Sequence, residues 1–116
     1  MSNAALKLHA RLIRQSWQNG IGTIVETGRM LIKAKAELGH GKWHMLFEGE
    51  LMPFSKRTAA KLMSIARNPI ISNRSNWTRL PNSWGTLYDL SRLPDQTLID
   101  GLKRGAINPQ TERKEV

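Results

Sequence analysis

The chain is 116 residues long, enough for one compact domain or for a domain with a small helical lobe, and its 40% hydrophobic content excludes wholesale disorder. It has no cysteine, which excludes disulfides, thiolate metal sites and cysteine catalysis and fits a reducing cytoplasm. Lysine and arginine total 18 against 9 acids, a net charge of +9 with a pI near 10.7, and an excess of that size favours a polyanionic partner, nucleic acid first.

Residues 5 to 18 read as a helix, with Leu6, Leu8, Leu12, Ile13 and Trp17 as an apolar stripe and Lys7, Arg11 and Arg14 opposite. Asn19-Gly20 is a turn signal. The clearest helical pattern follows over 21 to 38, where Ile21, Ile24, Val25, Gly28, Leu31, Ile32 and Leu38 recur at steps of three and four. Gly28 on that face would admit a second helix closely, and Gly39 ends the element as a C-cap glycine would. Residues 41 to 51 predict a shorter helix carrying Trp43, Leu46, Phe47 and Leu51, broken by Met52-Pro53-Phe54. Ser55 is a good N-cap for a helix over 56 to 67, whose inner face is Ala59, Leu62, Met63 and Ala66, and Asn68-Pro69 terminates it.

Residues 69 to 82 are rich in turn formers and read as an irregular linker pinned by Ile70, Ile71 and Trp77. Ser83 would cap a helix through Leu90, with Trp84, Leu87 and Leu90 apolar. Pro94 is placed at the first helical position of a last helix to about Arg104, with Leu98, Ile99 and Leu102 inside and Gly105 as the stop. The tail from Asn108 reads as a first turn of another helix or as a frayed end. The expected fold is therefore all-α. A helical domain occupies 1–68, a linker 69–82 and a small C-terminal helical lobe 83–116.

Function is sought where the charge sits. No Asp or Glu lies between Glu50 and Asp89, while Lys56, Arg57, Lys61, Arg67, Arg74 and Arg79 do. A surface built only for solubility would intersperse the signs, whereas a phosphate-facing surface is cleared of carboxylates. Helix 41–51, a short turn and helix 56–67 have the order of a helix-turn-helix, residues 41–67, whose second helix would lie in the major groove. Its outward set would be Lys56, Arg57, Ala60, Lys61, Ser64 and Arg67. Arg57 and Lys61 are the expected base-reading side chains, Arg57 by forking onto guanine. Lys56, Arg67, Arg74 and Arg79 suit phosphates, and Ser55, Thr58 and Ser64 could add hydroxyl contacts.

Along the same stretch, Glu26-Thr27-Gly28, Leu31, Lys35, His40-Gly41-Lys42-Trp43, Phe54-Ser55-Lys56-Arg57-Thr58-Ala59, Met63 and Ala66 resemble a family of uncharacterised phage, plasmid and bacterial proteins with a helix-turn-helix, a domain of unknown function. The resemblance implies a helical DNA-binding fold. The segment from Leu80-Pro81-Asn82-Ser83-Trp84 through Ile107-Asn108-Pro109 is loosely similar to the helical lobe beside the helix-turn-helix of ParB-type partition proteins, without their nucleotide-binding motif.

Other chemistries find less support. His40 and His44 have metal-ligand spacing but no evident third ligand, so no metal is expected. No carboxylate pair, nucleophile motif or phosphate-binding glycine loop is present, so neither an enzyme nor a cofactor is expected. Trp17, Trp43 and Trp84 sit on apolar stripes and read as core, while Trp77, among Arg74, Asn76 and Arg79, could stack on DNA. No apolar run approaches the roughly 20 residues needed to span a bilayer, and no secretory signal is visible, so a cytoplasmic location away from membranes is expected.

The leading expectation is a sequence-specific double-stranded DNA-binding regulator of a phage or mobile element, acting as a homodimer. One alternative is a DNA-binding adaptor in packaging, replication or partition that holds a larger protein through its C-terminal lobe. The other is a protein-interaction module for an acidic partner.

Overall fold

The computed structural model describes residues 3–16, 20–113 and 116. They form five α-helices and one short 3-10 helix, with no strand among them. The α-helices are α1 (Asn3–Ser16), α2 (Ile21–Met45), α3 (Lys56–Arg67), α4 (Trp84–Ser91) and α5 (Asp95–Lys103), and the 3-10 helix is Arg74–Arg79. Buried side chains from all five α-helices belong to one cluster, from Leu6 on α1 to Ile107 beyond α5.

On α1 the buried stripe is Leu6, Ala10 and Ile13, while Leu8 and Leu12 face outward. Two residues advance about 200° around a helix, so Leu6 and Leu8 cannot share a face. Trp17, expected on the same stripe, lies outside the described residues.

α2 follows its predicted pattern, with Ile21, Ile24, Val25, Gly28, Leu31 and Leu38 buried and Ile32 half-buried against the core. Thr27 is also buried, and its hydroxyl donates to the Thr23 carbonyl at 2.7 Å. Gly39, at φ 77° and ψ 173°, interrupts the helix where the sequence placed its end. A shorter segment then continues to Met45 rather than to Leu51. Beyond it the bonds tighten to the three-residue spacing, Phe47 N–H to His44 C=O at 3.1 Å and Glu48 N–H to Met45 C=O at 3.3 Å. Gly49 then adopts φ 73°, a left-handed conformation that stops the helix. The link to α3 is therefore the whole of residues 46–55, longer than the short turn predicted. Leu46 is fully buried, and Phe47, Leu51 and Phe54 pack against the core from this loop.

α3 has the predicted bounds. The Ser55 hydroxyl accepts from Thr58 N–H at 3.1 Å, as an N-cap does. At the other end Asn68 Oδ1 accepts from Ile70 N–H at 2.9 Å and Ile71 N–H at 3.0 Å, turning the chain away. α3 crosses α2 at Gly28. A Cβ built on Gly28 would collide with the Leu62 carbonyl oxygen and lie 2.7 Å from the Ala66 Cβ, so the two backbones meet where no larger residue fits. Ile65, absent from the predicted inner face, is fully buried as well.

The stretch read as irregular contains the 3-10 helix, started by Asn73, whose Oδ1 accepts from Ser75 N–H at 3.1 Å. Ile71 is fully buried, so this connection contributes to the core. Ser83 precedes α4 without a side-chain capping bond, and Pro94, predicted as the first helical position, is the N-cap of α5, which begins one place later at Asp95. Gly105 at φ 75° ends the last turn as expected. The described tail does not fray: Asn108 N–H donates to Thr111 Oγ1 at 2.9 Å, Thr111 is buried, and Arg113 returns to α4.

Candidate nucleic-acid interface

α3 is built from the inside out. Ala59, Leu62, Met63, Ile65 and Ala66 are buried, Leu62 and Ala66 lie against Gly28 of α2, and α4 packs on the helix as well, which leaves one strip for solvent. That strip carries Lys56, Arg57, Ala60, Ser64 and Arg67, all exposed. With about 100° per residue, these positions share one outward arc of the helix. Lys56, Arg57 and Arg67 are among the six cations of the acid-free interval, and among the described residues none of the six forms an ion pair with a carboxylate.

The other predicted residues have local work. Ser55 is exposed and Thr58 half-buried, and the Ser55 hydroxyl also donates to Thr58 Oγ1 at 3.2 Å, so both side chains hold the start of α3. Ser64 Oγ donates back to the Ala60 carbonyl at 3.2 Å. Lys56 Nζ lies 2.6 Å from Nδ1 of His44, a neutral partner that leaves the ammonium charge uncancelled. The His44 imidazole is held below the usual histidine range by partial removal from water, then by the Lys56 ammonium and by His40. A neutral ring can accept from Lys56; a protonated one would repel it.

Lys61 differs from its neighbours. It is half-buried at the α3–α4 seam, with Nζ 5.2 Å from the Tyr88 ring centre and 5.9 Å from that of Trp84. Trp84 is half-buried and packs against the core, so it anchors α4 and also offers a ring face to a cation. Arg92 stands 5.9 Å from the Tyr88 ring centre as well. The Asp89 carboxylate accepts from Arg113 Nε at 2.8 Å. This ring of aromatic and charged groups escaped the sequence reading because its partners are distant in the chain. The presence of Tyr88 one turn beyond Trp84 was its only local sign.

Arg74 and Arg79 are not on the strip. Their 3-10 helix packs on α2 through Trp77, whose ring would lie 3.2 Å from a Cβ on Gly22 and whose Nε1 donates to the Ile71 carbonyl at 2.7 Å. This is a correction to the stacking role considered for Trp77: the indole nitrogen is satisfied, one edge of the ring is wedged against α2, and Arg74 stands 5.4 Å from the ring centre. Arg79 donates to Asn76 Oδ1 at 2.6 Å and lines a groove with Ile99, Leu102 and Lys103 of α5. The two arginines thus belong to a second basic area.

His40 and His44 meet edge to face at 4.5 Å between ring centres, and among the described residues no group of three candidate metal ligands exists. His9 is engaged elsewhere, with Nε2 2.8 Å from Glu37. Among the described residues no helix is long and apolar enough to cross a membrane.

Neither a curated protein nor a solved structure matches the chain. A family match covers residues 10–84, from the middle of α1 to the first residue of α4, and so includes the whole outward strip of α3. On that match the chain belongs to the family described as "Protein of unknown function (DUF3102)".

Proposed function

We propose that the protein is a sequence-specific double-stranded DNA-binding protein, a regulator of a phage or mobile element, that works by binding and not by catalysis. The observation that carries this reading is the outward strip of α3. Lys56, Arg57 and Arg67 project from one helix, unopposed by any carboxylate among the described residues, in a chain of net charge +9. A helix is the element that fits the major groove of B-DNA, and one cleared of acids approaches phosphates without repulsion. The resemblance to helix-turn-helix proteins supports the same reading, with residues 41–67 as the unit, although the connection between its helices is long. Arg57, fully outward near the start of α3, reads bases. Lys56 and Arg67 set register on phosphates, and Arg74 and Arg79 meet the backbone further away. Lys61 is reassigned mainly to the α3–α4 seam because its ammonium already faces two rings. A homodimer on a near-palindromic site is the arrangement that such a reading helix favours.

Selection of bound duplexes from a random pool tests the reading, followed by gel shifts over a range of salt. A selected motif is expected. Arg57→Ala should lose about 1–3 kcal/mol on the selected site and much less on random duplex. Arg67→Ala should weaken all sequences alike and make the salt dependence shallower. No selected motif, or an Arg57→Ala protein with undiminished preference for it, would refute the assignment.

A second reading, a DNA-binding adaptor, is favoured by the groove between the loop at Pro69-Ile70 and α5, which Ile99 and Leu102 line together with Arg79 and Lys103. A stable complex with a larger protein together with unselective duplex binding would favour it.

A further inference from the structure

We propose that His44 is a proton switch at the edge of the α3 strip: its neutral ring holds Lys56, and its protonated ring releases Lys56 to duplex phosphates. The inference rests on the α3 reading and adds to it a control by pH.

The contact joins α2 to the start of α3 across the 46–55 loop. Lys56, the first residue of α3, places Nζ 2.6 Å from Nδ1 of His44 and 3.0 Å from Nε2. A neutral imidazole carries its hydrogen on one nitrogen and a lone pair on the other. With both nitrogens within reach, either tautomer can accept from the ammonium. A protonated ring has two N–H donors and no acceptor. Protonation therefore abolishes the bond and sets two positive charges side by side.

The backbone around the pair is pinned, so the side chains must respond. Trp43 and Leu46, which flank this turn, are buried in the core. α3 begins at a capped turn, with the Ser55 hydroxyl accepting from Thr58 N–H. His44 is half-buried and Lys56 exposed, so water and a phosphate can both reach the pair. Lys56, with four methylenes, is the member that swings away.

The groups that act on the ring come from three places. α3 supplies Lys56. α2 supplies His40, edge to face at 4.5 Å between ring centres, and Lys35, which stands 5.8 Å from the Trp43 ring centre. The loop supplies Glu48. Partial removal from water, then Lys56, His40 and Lys35, hold the ring below the usual histidine range, and Glu48 acts against them. A bound phosphate would act in the direction of Glu48, so the His44 pKa is higher in the complex than in the free chain. Affinity for duplex is then level above the bound-state pKa, rises as pH falls through it, and levels off below the free-state pKa. Acidification gives the strip two unheld cations together, Lys56 and His44 itself.

The test has one arm without nucleic acid, so its failure and the failure of the α3 assignment are separable. In the full chain, nuclear magnetic resonance follows the imidazole C–H signals with pH, and the His44 signal is the one lost in His44→Gln. Lys56→Met should raise the His44 midpoint, and Glu48→Gln should lower it. In the second arm, fluorescence anisotropy measures binding to a random-sequence duplex at constant ionic strength. From about pH 7.5 to about pH 5.5 the parent should bind at least about fivefold more tightly, with a salt slope steeper by about one. His44→Gln should lose most of that gain, and Lys56→Met should keep only the part that the His44 charge supplies. A His44 midpoint that Lys56→Met leaves in place would overturn the switch. So would a parent whose affinity ignores pH, or a His44→Gln chain that gains as much as the parent. Absence of duplex binding at every pH would overturn the α3 reading and the output of the switch with it, while the titration still decides whether His44 holds Lys56.

Discussion

The outward strip of α3 and the seam between α3 and α4 contain the same kinds of cation and put them to different use. On the strip, Lys56, Arg57 and Arg67 are exposed and among the described residues pair with no carboxylate, although Lys56 is hydrogen-bonded to the His44 ring. At the seam, Lys61 and Arg92 stand over the Tyr88 ring and Arg113 is bonded to Asp89. Net charge does not distinguish the two regions; commitment does. A cation already held by a ring or a carboxylate must give something up to meet a phosphate, as Lys56 must give up His44, whereas Arg57 and Arg67 need not. Substitutions on the strip should therefore cost binding and spare the fold, and substitutions at the seam should do the reverse.

The largest effect should come from the support beneath the strip. Gly28→Ala sets a methyl group against the Leu62 carbonyl and the Ala66 Cβ, backbone and short side chain that cannot swing aside. Denaturant unfolding should show a loss of about 3 kcal/mol or more, the upper range for overpacking. A loss under about 1 kcal/mol would mean that α2 and α3 slide apart easily, and that α3 is not a rigid platform. Ser55→Ala comes next. It removes the acceptor for Thr58 N–H and should cost about 1 kcal/mol by the same measurement. Ser55→Asp, which also caps, should restore most of it. Failure to restore would place the cost somewhere other than the cap.

Much of this platform is legible in the chain, because its signals are local. Ser55 and Asn68-Pro69 bound α3, Gly39 breaks α2, and the recurring Ile21, Ile24, Val25, Gly28 and Leu31 give the buried face together with its one close approach. The misreadings have physical causes. The helix after Gly39 was extended to Leu51 because Leu46, Phe47 and Leu51 keep helical spacing, whereas Gly49 overrides that spacing with a left-handed turn. Leu8 and Leu12 were counted as core because they are leucines, although Leu6, Ala10 and Ile13 are the set that the helical period aligns. The cations of the acid-free interval were visible as a group. Their division into held and unheld was not, since Lys61 meets rings 23 and 27 positions away and no period encodes that contact. Trp77 reads from the sequence both as a pin of the linker and as a stacking platform, and its packing agrees with the pin: its polar neighbours are local, while its packing partner, Gly22, is far away in sequence.

Lys61 and Arg57 make the sharpest pair of variants, because they sit four residues apart on one helix. Lys61→Ala should lose about 0.5–1 kcal/mol of stability from its ring contacts. Arg57→Ala should stay within about 0.5 kcal/mol of the parent, as exposed positions do. Thermal unfolding of the two variants side by side reads the difference. Equal stabilities would show that the rings do not hold Lys61, and its place among the base-reading residues would reopen.

The smallest effect is one of pH, and it tests what holds the seam. The hydrogen bond from Arg113 keeps the Asp89 carboxyl below the usual carboxylate range, with smaller help from the Arg92 and Lys61 charges and opposition from burial. A carboxyl whose pKa is depressed by folding binds fewer protons in the native state than in the unfolded one. Its contribution to stability is present above the ordinary aspartate value, about 3.9, and is lost as pH falls through the folded value. The stability difference between the parent and Asp89→Asn should accordingly be constant near neutrality and shrink in acid. A difference that persists unchanged through acid would mean that the Arg113 pair adds nothing. The same variant also acts on the opening comparison at neutral pH. With Asp89 uncharged, Arg113 loses its carboxylate partner and Arg92 and Lys61 a nearby negative charge, and the seam becomes more like the strip. If commitment is what separates the two regions, Asp89→Asn should bind random duplex more tightly than the parent, with a steeper dependence on salt.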